Sequence, residues 1–213
     1  MKAQYEASYH GHQHKYLIES PFYYSLRARL AKKDYFHNVH DEKVFEFGVG
    51  LGKNIAFLKN KSGYDISKFA RKFSAERGIK VYDDIKKVPD NHFDIVLSAH
   101  TLEHLENPFD NLQLLKTKLK KGGKLILILP VEKHGKVPFA TDINQHLFAW
   151  NFRTINNLLQ RAGFRIIENR YNHGTAYYKL KFLAKISFSL YDLKTRLLGL
   201  LLCKKEMIVV CEK

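Results

Sequence analysis

The nine residues Val44-Phe45-Glu46-Phe47-Gly48-Val49-Gly50-Leu51-Gly52 constrain this chain more than any others, because an apolar run carrying one carboxylate gives way to glycine at every second position. Without a Cβ the backbone can take positive φ and can press directly against a ligand, so glycine is what a tight binding turn selects. The pattern predicts a buried strand over 43–47 that ends in such a turn.

The 213 residues, 45% of them apolar and 13% aromatic, suffice for one sizeable core and are few for two. Cys203 and Cys211 form neither a disulfide framework nor a zinc spacing, and the first residues do not resemble a signal peptide. A reducing cytoplasm is the expected compartment. The longest apolar run, 197–203, falls well short of the roughly 20 residues a membrane span requires. The net charge of +15 favours an anionic partner, but the lysines are scattered along the whole chain. Clusters such as Lys116, Lys118, Lys120 and Lys121 suit the C-terminal turn and solvated face of a helix.

Apolar spacing then alternates between two periods. Strands are expected at 43–47, 61–65, 79–82, 93–97 and 124–130, the last apolar on both faces as a covered parallel sheet requires. Helices are expected at 53–60, 67–77 after the Ser67 cap, and from Asn107-Pro108 up to Gly122-Gly123. A further helix opens at Thr154, and strands at 164–168 and 207–211 follow. Strands alternating with helices give an α/β fold with a doubly wound sheet.

Residues 1–42 read as an aromatic, His-rich helical arm over the mouth of the site, and 43–213 as the main domain. His10, His12 and His14 read as exposed, with metal chelation the lesser alternative. The segment 177–205 reads as a helical insertion before the last strand. Its Leu180, Leu183, Ile186, Leu190, Leu193, Leu197 and Leu200 keep helical spacing among Lys179, Lys181, Lys185, Lys194 and Arg196. A helix packed on the sheet or against a second copy is the first reading, and peripheral contact with an anionic membrane the second.

A nicotinamide-binding turn would space its glycines as GxGxxG, whereas here they stand at 48, 50 and 52. Asp65 ends the second strand, where a carboxylate can accept both hydroxyls of a ribose, and Asp84 follows the third strand within reach of an adenine edge. The glycine motif with Glu46, Gly63-Tyr64-Asp65-Ile66-Ser67, Phe93-Asp94-Ile95-Val96, Leu102-Glu103-His104-Leu105-Glu106-Asn107-Pro108 and the run 119–125 match in order over about 43–170. Together they resemble the class I S-adenosylmethionine-dependent methyltransferases. His146-Leu147-Phe148-Ala149-Trp150 and the run 154–164 are similar to the branch called methyltransferase domain 23, whose members mostly modify small molecules, sugars, lipids or secondary metabolites.

The resemblance implies a Rossmann-like, seven-stranded, mostly parallel sheet with an antiparallel last strand over 207–212 and helices on both faces. It implies S-adenosyl-L-methionine as cofactor and S-adenosyl-L-homocysteine as product. Glu46, Gly48, Gly50 and Gly52 would hold the methionine moiety, Asp65 the ribose and Asp84 the adenine, with Val49, Ile66 and Ile85 also in the cofactor site. Ser98 to His100 would line the site beside the sulfonium. His146, His100 and His104 are the candidate bases, His146 foremost because it follows strand five, where acceptors bind in this family. The expected reaction is O-methylation of a small-molecule, sugar or lipid-linked acceptor by in-line displacement. A second reading takes His100, Glu103, His104 and His146 as similar to the metal set of small-RNA 2′-O-methyltransferases. A third keeps the fold as a binding protein without turnover.

Overall fold

A computed structural model describes residues 6–132, 145–173 and 176–213. The seven strands are β1 (Lys43–Phe47), β2 (Asn60–Tyr64), β3 (Lys80–Tyr82), β4 (Phe93–Ala99), β5 (Leu119–Pro130), β6 (Arg165–His173) and β7 (Lys205–Glu212). They form one sheet in the order β3-β2-β1-β4-β5-β7-β6. The pairs from β3 across to β5 are parallel, and β7 runs antiparallel to both β5 and β6. This is the Rossmann-like, mostly parallel sheet with an antiparallel last strand that the resemblance implies.

Alternation along the central strands divides the core between the two faces of the sheet. Phe45, Val96, Leu125, Leu127 and Val209 face one side, where Leu112 and Leu115 of α5 (Pro108–Lys118) and Ile155 and Leu159 of α6 (Phe152–Arg161) cover them. Val44, Ile95, Leu97, Ile126, Ile128 and Ile208 face the other, against Phe36, Ile55, Leu58 and Ile79. Strands buried on both faces need apolar residues at every position, and β5 supplies them from Leu125 to Leu129.

The arm folds as α1 (Ala7–Gln13), α2 (Lys15–Glu19) and α3 (Pro21–Tyr35). Ser20 caps α3 through the Tyr23 N–H, with Pro21 in the first turn. The Glu6 carboxylate accepts hydrogen bonds from the N–H groups of Lys68 and Phe69 at the start of α4 (Lys68–Ala75), tying the arm to the main sheet. Ser67 caps the same helix through the Ala70 N–H.

Three local expectations are corrected. The helix expected over 53–60 is a series of turns, because Asn54 gives its amide to the buried Glu46 carboxylate and takes a hydrogen bond from Lys53 Nζ. An Asn engaged in this way competes with helical hydrogen bonding. The cap of α6 is Asn151, three residues before the predicted start, in a reciprocal box with Thr154. The insertion contains two helices, α7 (Leu183–Ile186) and α8 (Phe188–Leu201), broken at Ser187, which caps the second. Among the described residues no helix is long and apolar enough to cross a membrane.

Leu127 is fully buried at the centre of the sheet. We expect Leu127→Ala to cost about 2–5 kcal/mol of stability, measured by denaturant unfolding. A loss below about 1 kcal/mol would contradict this packing.

Candidate active site

Positive φ at Gly48 (76°), Gly50 (51°) and Gly52 (73°) bends the chain sharply after β1. The Gly48 and Val49 N–H groups both donate to the Tyr64 carbonyl at 2.9 Å, so the turn is pinned to the end of β2. A Cβ at Gly48 would strike Thr101, with Cγ2 at 2.8 Å, and one at Gly52 would strike Ile79 and Ser74. At Gly50 nothing lies within 4 Å of the Cβ position, so this turn opens onto space. That space is a cavity of about 690 Å³.

Asp65 stands on its wall. Its two oxygens accept from the N–H groups of Gly50 and Ser67, both at 2.8 Å, and burial raises its pKa against those two bonds. Each carboxylate oxygen keeps a second lone pair, the capacity needed to receive a diol. Behind the turn Glu46 is fully buried and accepts from Asn54 at 2.5 Å, while its Oε2 has no hydrogen-bond partner. Burial pushes Glu46 up to about 8, with Lys53 and Asn54 opposing. Lys53 is pushed down by burial and by the charge of Arg27. Lys53, Arg27 and His100 all line the cavity and make this end electropositive. His14 lines it too and is driven down to about 3 by burial and by these cations.

Beyond Thr101 lies a second group. The Glu103 carboxylate is fully buried and neither oxygen has a hydrogen-bond partner. Three imidazoles surround its Oε1: His100 Nδ1 at 3.7 Å, His104 Nε2 at 4.0 Å and His146 Nε2 at 4.0 Å. The Glu103 carbonyl accepts the Leu147 and Phe148 N–H groups at 2.8 and 3.2 Å, which brings His146 beside His104 at 4.8 Å between ring centroids. His146 Nδ1 lies 2.6 Å from the Glu132 carboxylate. With Glu132 as the acceptor, Nδ1 is the donor of this contact and Nε2 is the nitrogen turned toward Glu103.

His100 stands apart from this pair. It follows β4 with a φ of 51°, a left-handed conformation uncommon outside glycine, and its Nε2 reaches Glu206 at 3.1 Å. Burial alone would lower its pKa, but the Glu103 and Glu206 carboxylates outweigh burial and lift it to about 9. Glu206 is held down to about 2 despite its burial by His100, Tyr35 and Asn172, the latter two donating at 2.7 and 2.8 Å. The two carboxylates therefore favour the imidazolium form of His100.

Of the residues singled out from sequence, Gly48, Val49, Gly50, Asp65, Ile66, His100, His104 and His146 line one cavity. Glu46 and Gly52 lie behind its wall, and Ser98 is buried in β4 next to Ala99, which lines it. Asp84 is exposed, where it caps a short 3₁₀ turn through the Lys86 N–H, and Ile85 packs at the edge of the core. His10, read as exposed, is buried on the face of Phe69 at 5.6 Å and lines the cavity, whereas His12 is exposed. Arg27, Glu132 and Glu206 carried no sequence motif, since their placement depends on contacts far along the chain.

Residues 9–169 match the family described as a methyltransferase domain. The chain belongs to that family. S-adenosylmethionine is the cofactor that this family membership implies. The chain is 32% identical over 117 residues to an uncharacterised protein of Methanocaldococcus jannaschii, covering 53% of this chain and 55% of that one. It is 33% identical over 88 residues to a tRNA U34 carboxymethyltransferase of Psychrobacter arcticus, covering 38% of this chain and 25% of that one. The matches thus span about half of the first curated relative and a quarter of the second. A solved 1,6-didemethyltoxoflavin-N1-methyltransferase of Burkholderia thailandensis, with S-adenosylhomocysteine bound, superposes with a TM-score of 0.61 at 12% identity, over 97% of this chain and 84% of that one. That likeness is one of fold.

The residues present fit the family's cofactor: a glycine turn facing open space, a cradled carboxylate at the end of β2, and an unpartnered buried Glu46 oxygen beside it. We expect Asp65→Ala to weaken S-adenosylmethionine binding about 10–100-fold by calorimetry. Unchanged affinity would remove Asp65 from the site. We also expect a pH signature from the His100–Glu206 pair. A histidine raised from 6.5 to about 9 stabilises the fold fully below pH 6.5, and that contribution fades as pH rises through 9. Glu206, lowered from 4.5, contributes above pH 4.5 and loses its effect as pH falls through 2. The stability gap between wild type and His100→Gln should therefore be constant between pH 5 and 6.5 and shrink toward pH 9, and a gap that widens there would refute the pairing.

Proposed function

We propose that the protein transfers a methyl group from S-adenosylmethionine to an oxygen of a small-molecule, sugar or lipid-linked acceptor held against Glu103, His104 and His146. The observation that carries this reading is the His146–Glu132 pair at 2.6 Å, facing a cavity that the arm residues Tyr9, His10, Gln13, His14 and Tyr16 also line. A cavity of about 690 Å³ suits a compact acceptor or the end of a longer one.

The cofactor, when bound, supplies a methyl group on a sulfonium already activated for displacement. The Gly48–Gly50 turn and Asp65 fix the position of that donor, and the opposite wall holds the acceptor in line with it. Holding two reactants at near-attack distance supplies much of such an acceleration. A hydroxyl acceptor must also shed its proton. His146 Nε2, its other nitrogen fixed by Glu132, takes that proton, and Glu132 stabilises the imidazolium that forms. With its imidazolium form favoured, His100 is ill suited to that role and instead adds positive charge to the wall beside Thr101.

A second reading is favoured by one observation. Ligand atoms of Glu103, His104 and His146 lie within 4.8 Å of one another, and Glu103 is buried without a hydrogen bond. A divalent cation bound there would draw an acceptor hydroxyl into its coordination and acidify it. The tRNA-modifying name of one relative and the net charge of +15 would then point to an RNA acceptor.

A labelled-methyl transfer screen over sugar nucleotides, lipid extracts and RNA decides between them. We expect transfer to a sugar or lipid fraction, persisting after exhaustive chelation. His146→Gln should lower the rate about 10²–10⁴-fold with cofactor affinity unchanged. Activity that is abolished by chelation and restored by a divalent cation would overturn the base assignment in favour of the metal.

A further inference from the structure

Helix α8 is amphipathic in the inverted sense. The residues it buries are Tyr191, Asp192, Thr195 and Gly199, and Arg196 turns inward with them. Arg196 pairs with Asp192 at 2.9 Å and with Asp34 at 2.5 Å, and it donates to Asn172 at 2.9 Å. Lys33 of α3 bonds the other Asp192 oxygen. This polar network fixes the rotation of the helix, because turning it would bury leucines at the cost of breaking several ion pairs.

The opposite side is apolar and exposed. Leu193, Leu197, Leu200 and Leu201, spaced i, i+4, i+7 and i+8, form one stripe on a helical surface, with Leu201 80% exposed. Phe182 and Ile186, 74% exposed at the latter, extend it through α7, and Leu202 through the following turn. Water-facing leucine stripes of this kind mark surfaces that something else covers. Exposed Lys179, Lys185, Lys194 and Lys204 flank the stripe. Over 176–205 the one acidic residue is Asp192, which is buried.

We infer that α7 and α8 form a docking surface for an anionic lipid bilayer, the leucine stripe entering the interface while the lysines engage the headgroups. Charge decides the occupant. A second copy would bring two lysine-flanked faces of a +15 chain together, whereas an anionic surface neutralises them. A stripe rimmed by lysines and without exposed acids is the composition that interfacial helices use.

The surface is also coupled to the site. Tyr178 of the insertion stacks on Tyr16 at 4.0 Å, and the Ala176 carbonyl accepts the Tyr23 hydroxyl at 2.7 Å. Both Tyr16 and Tyr23 line the cavity. The insertion that carries the stripe thus also contacts residues that line the cavity. The surface itself does not depend on which acceptor is used.

Vesicle flotation of the full chain tests this. We expect it to float with phosphatidylglycerol-containing vesicles, to stay behind with pure phosphatidylcholine, and to detach as salt is raised. The double substitution Leu197→Glu/Leu201→Glu should cut flotation at least about tenfold. Both positions are exposed, so calorimetric binding of S-adenosylmethionine should be unchanged in that variant, which separates a lost surface from a lost fold. Two results would overturn the inference: a wild-type chain that stays out of the anionic vesicle fraction at low salt, or one that light scattering shows to be a dimer that the double substitution dissociates.

Discussion

Two N–H groups on one carbonyl organise this molecule. Gly48 and Val49 both donate to Tyr64, and Gly50 donates to Asp65, so the end of β1 is bound to the end of β2 by three hydrogen bonds from one turn. Only a backbone with positive φ at alternate positions can aim three successive amides this way, which is why glycine recurs there. The clamp fixes Asp65 at the rim of the cavity and leaves the Cβ side of Gly50 open, while Gly48 and Gly52 sit against Thr101, Ser74 and Ile79. Because Thr101 is pressed on Gly48, the same turn sets where the segment carrying Glu103 and His104 leaves β4.

The cavity brings opposite charges together. Arg27, Lys53 and His100 line it. Two carboxylates, Glu103 and Glu132, stand beside the imidazoles of His104 and His146. Burying so many ionisable groups is costly unless each finds a partner or a ligand. Glu206, His100, Tyr35 and Asn172 satisfy one another, whereas Glu46 Oε2 and the Glu103 oxygens have no hydrogen-bond partner among the described residues.

The parts readable from sequence were those in which a few neighbouring residues determine the geometry. The glycine turn, the Ser67 cap and the two-faced apolar run of β5 follow from local rules, and together with motif order they gave the family and the sheet. The errors share another cause. His10 is buried because Phe69, brought near by α4, stacks on it, and a chain of hydrogen bonds from Lys53 through Asn54 to Glu46 replaces a helix that propensity favours. The leucine spacing of α8 identified a helix without revealing which face is inward. That choice was made by Asp34, Asn172 and Lys33, all remote in sequence. Glu132 and Glu206 have the same character, since each acquires its role from a histidine brought to it by the fold.

The central claim is that the 48–52 turn and Asp65 form the methyl-donor cradle. Titrating isotope-labelled protein with S-adenosylhomocysteine while following backbone amides tests it most directly. The account predicts the largest shifts at Gly48, Gly50, Asp65 and Ile66, with Asp84 and the α8 amides less affected. Saturable binding that leaves the Gly48 and Gly50 amides unmoved would contradict it.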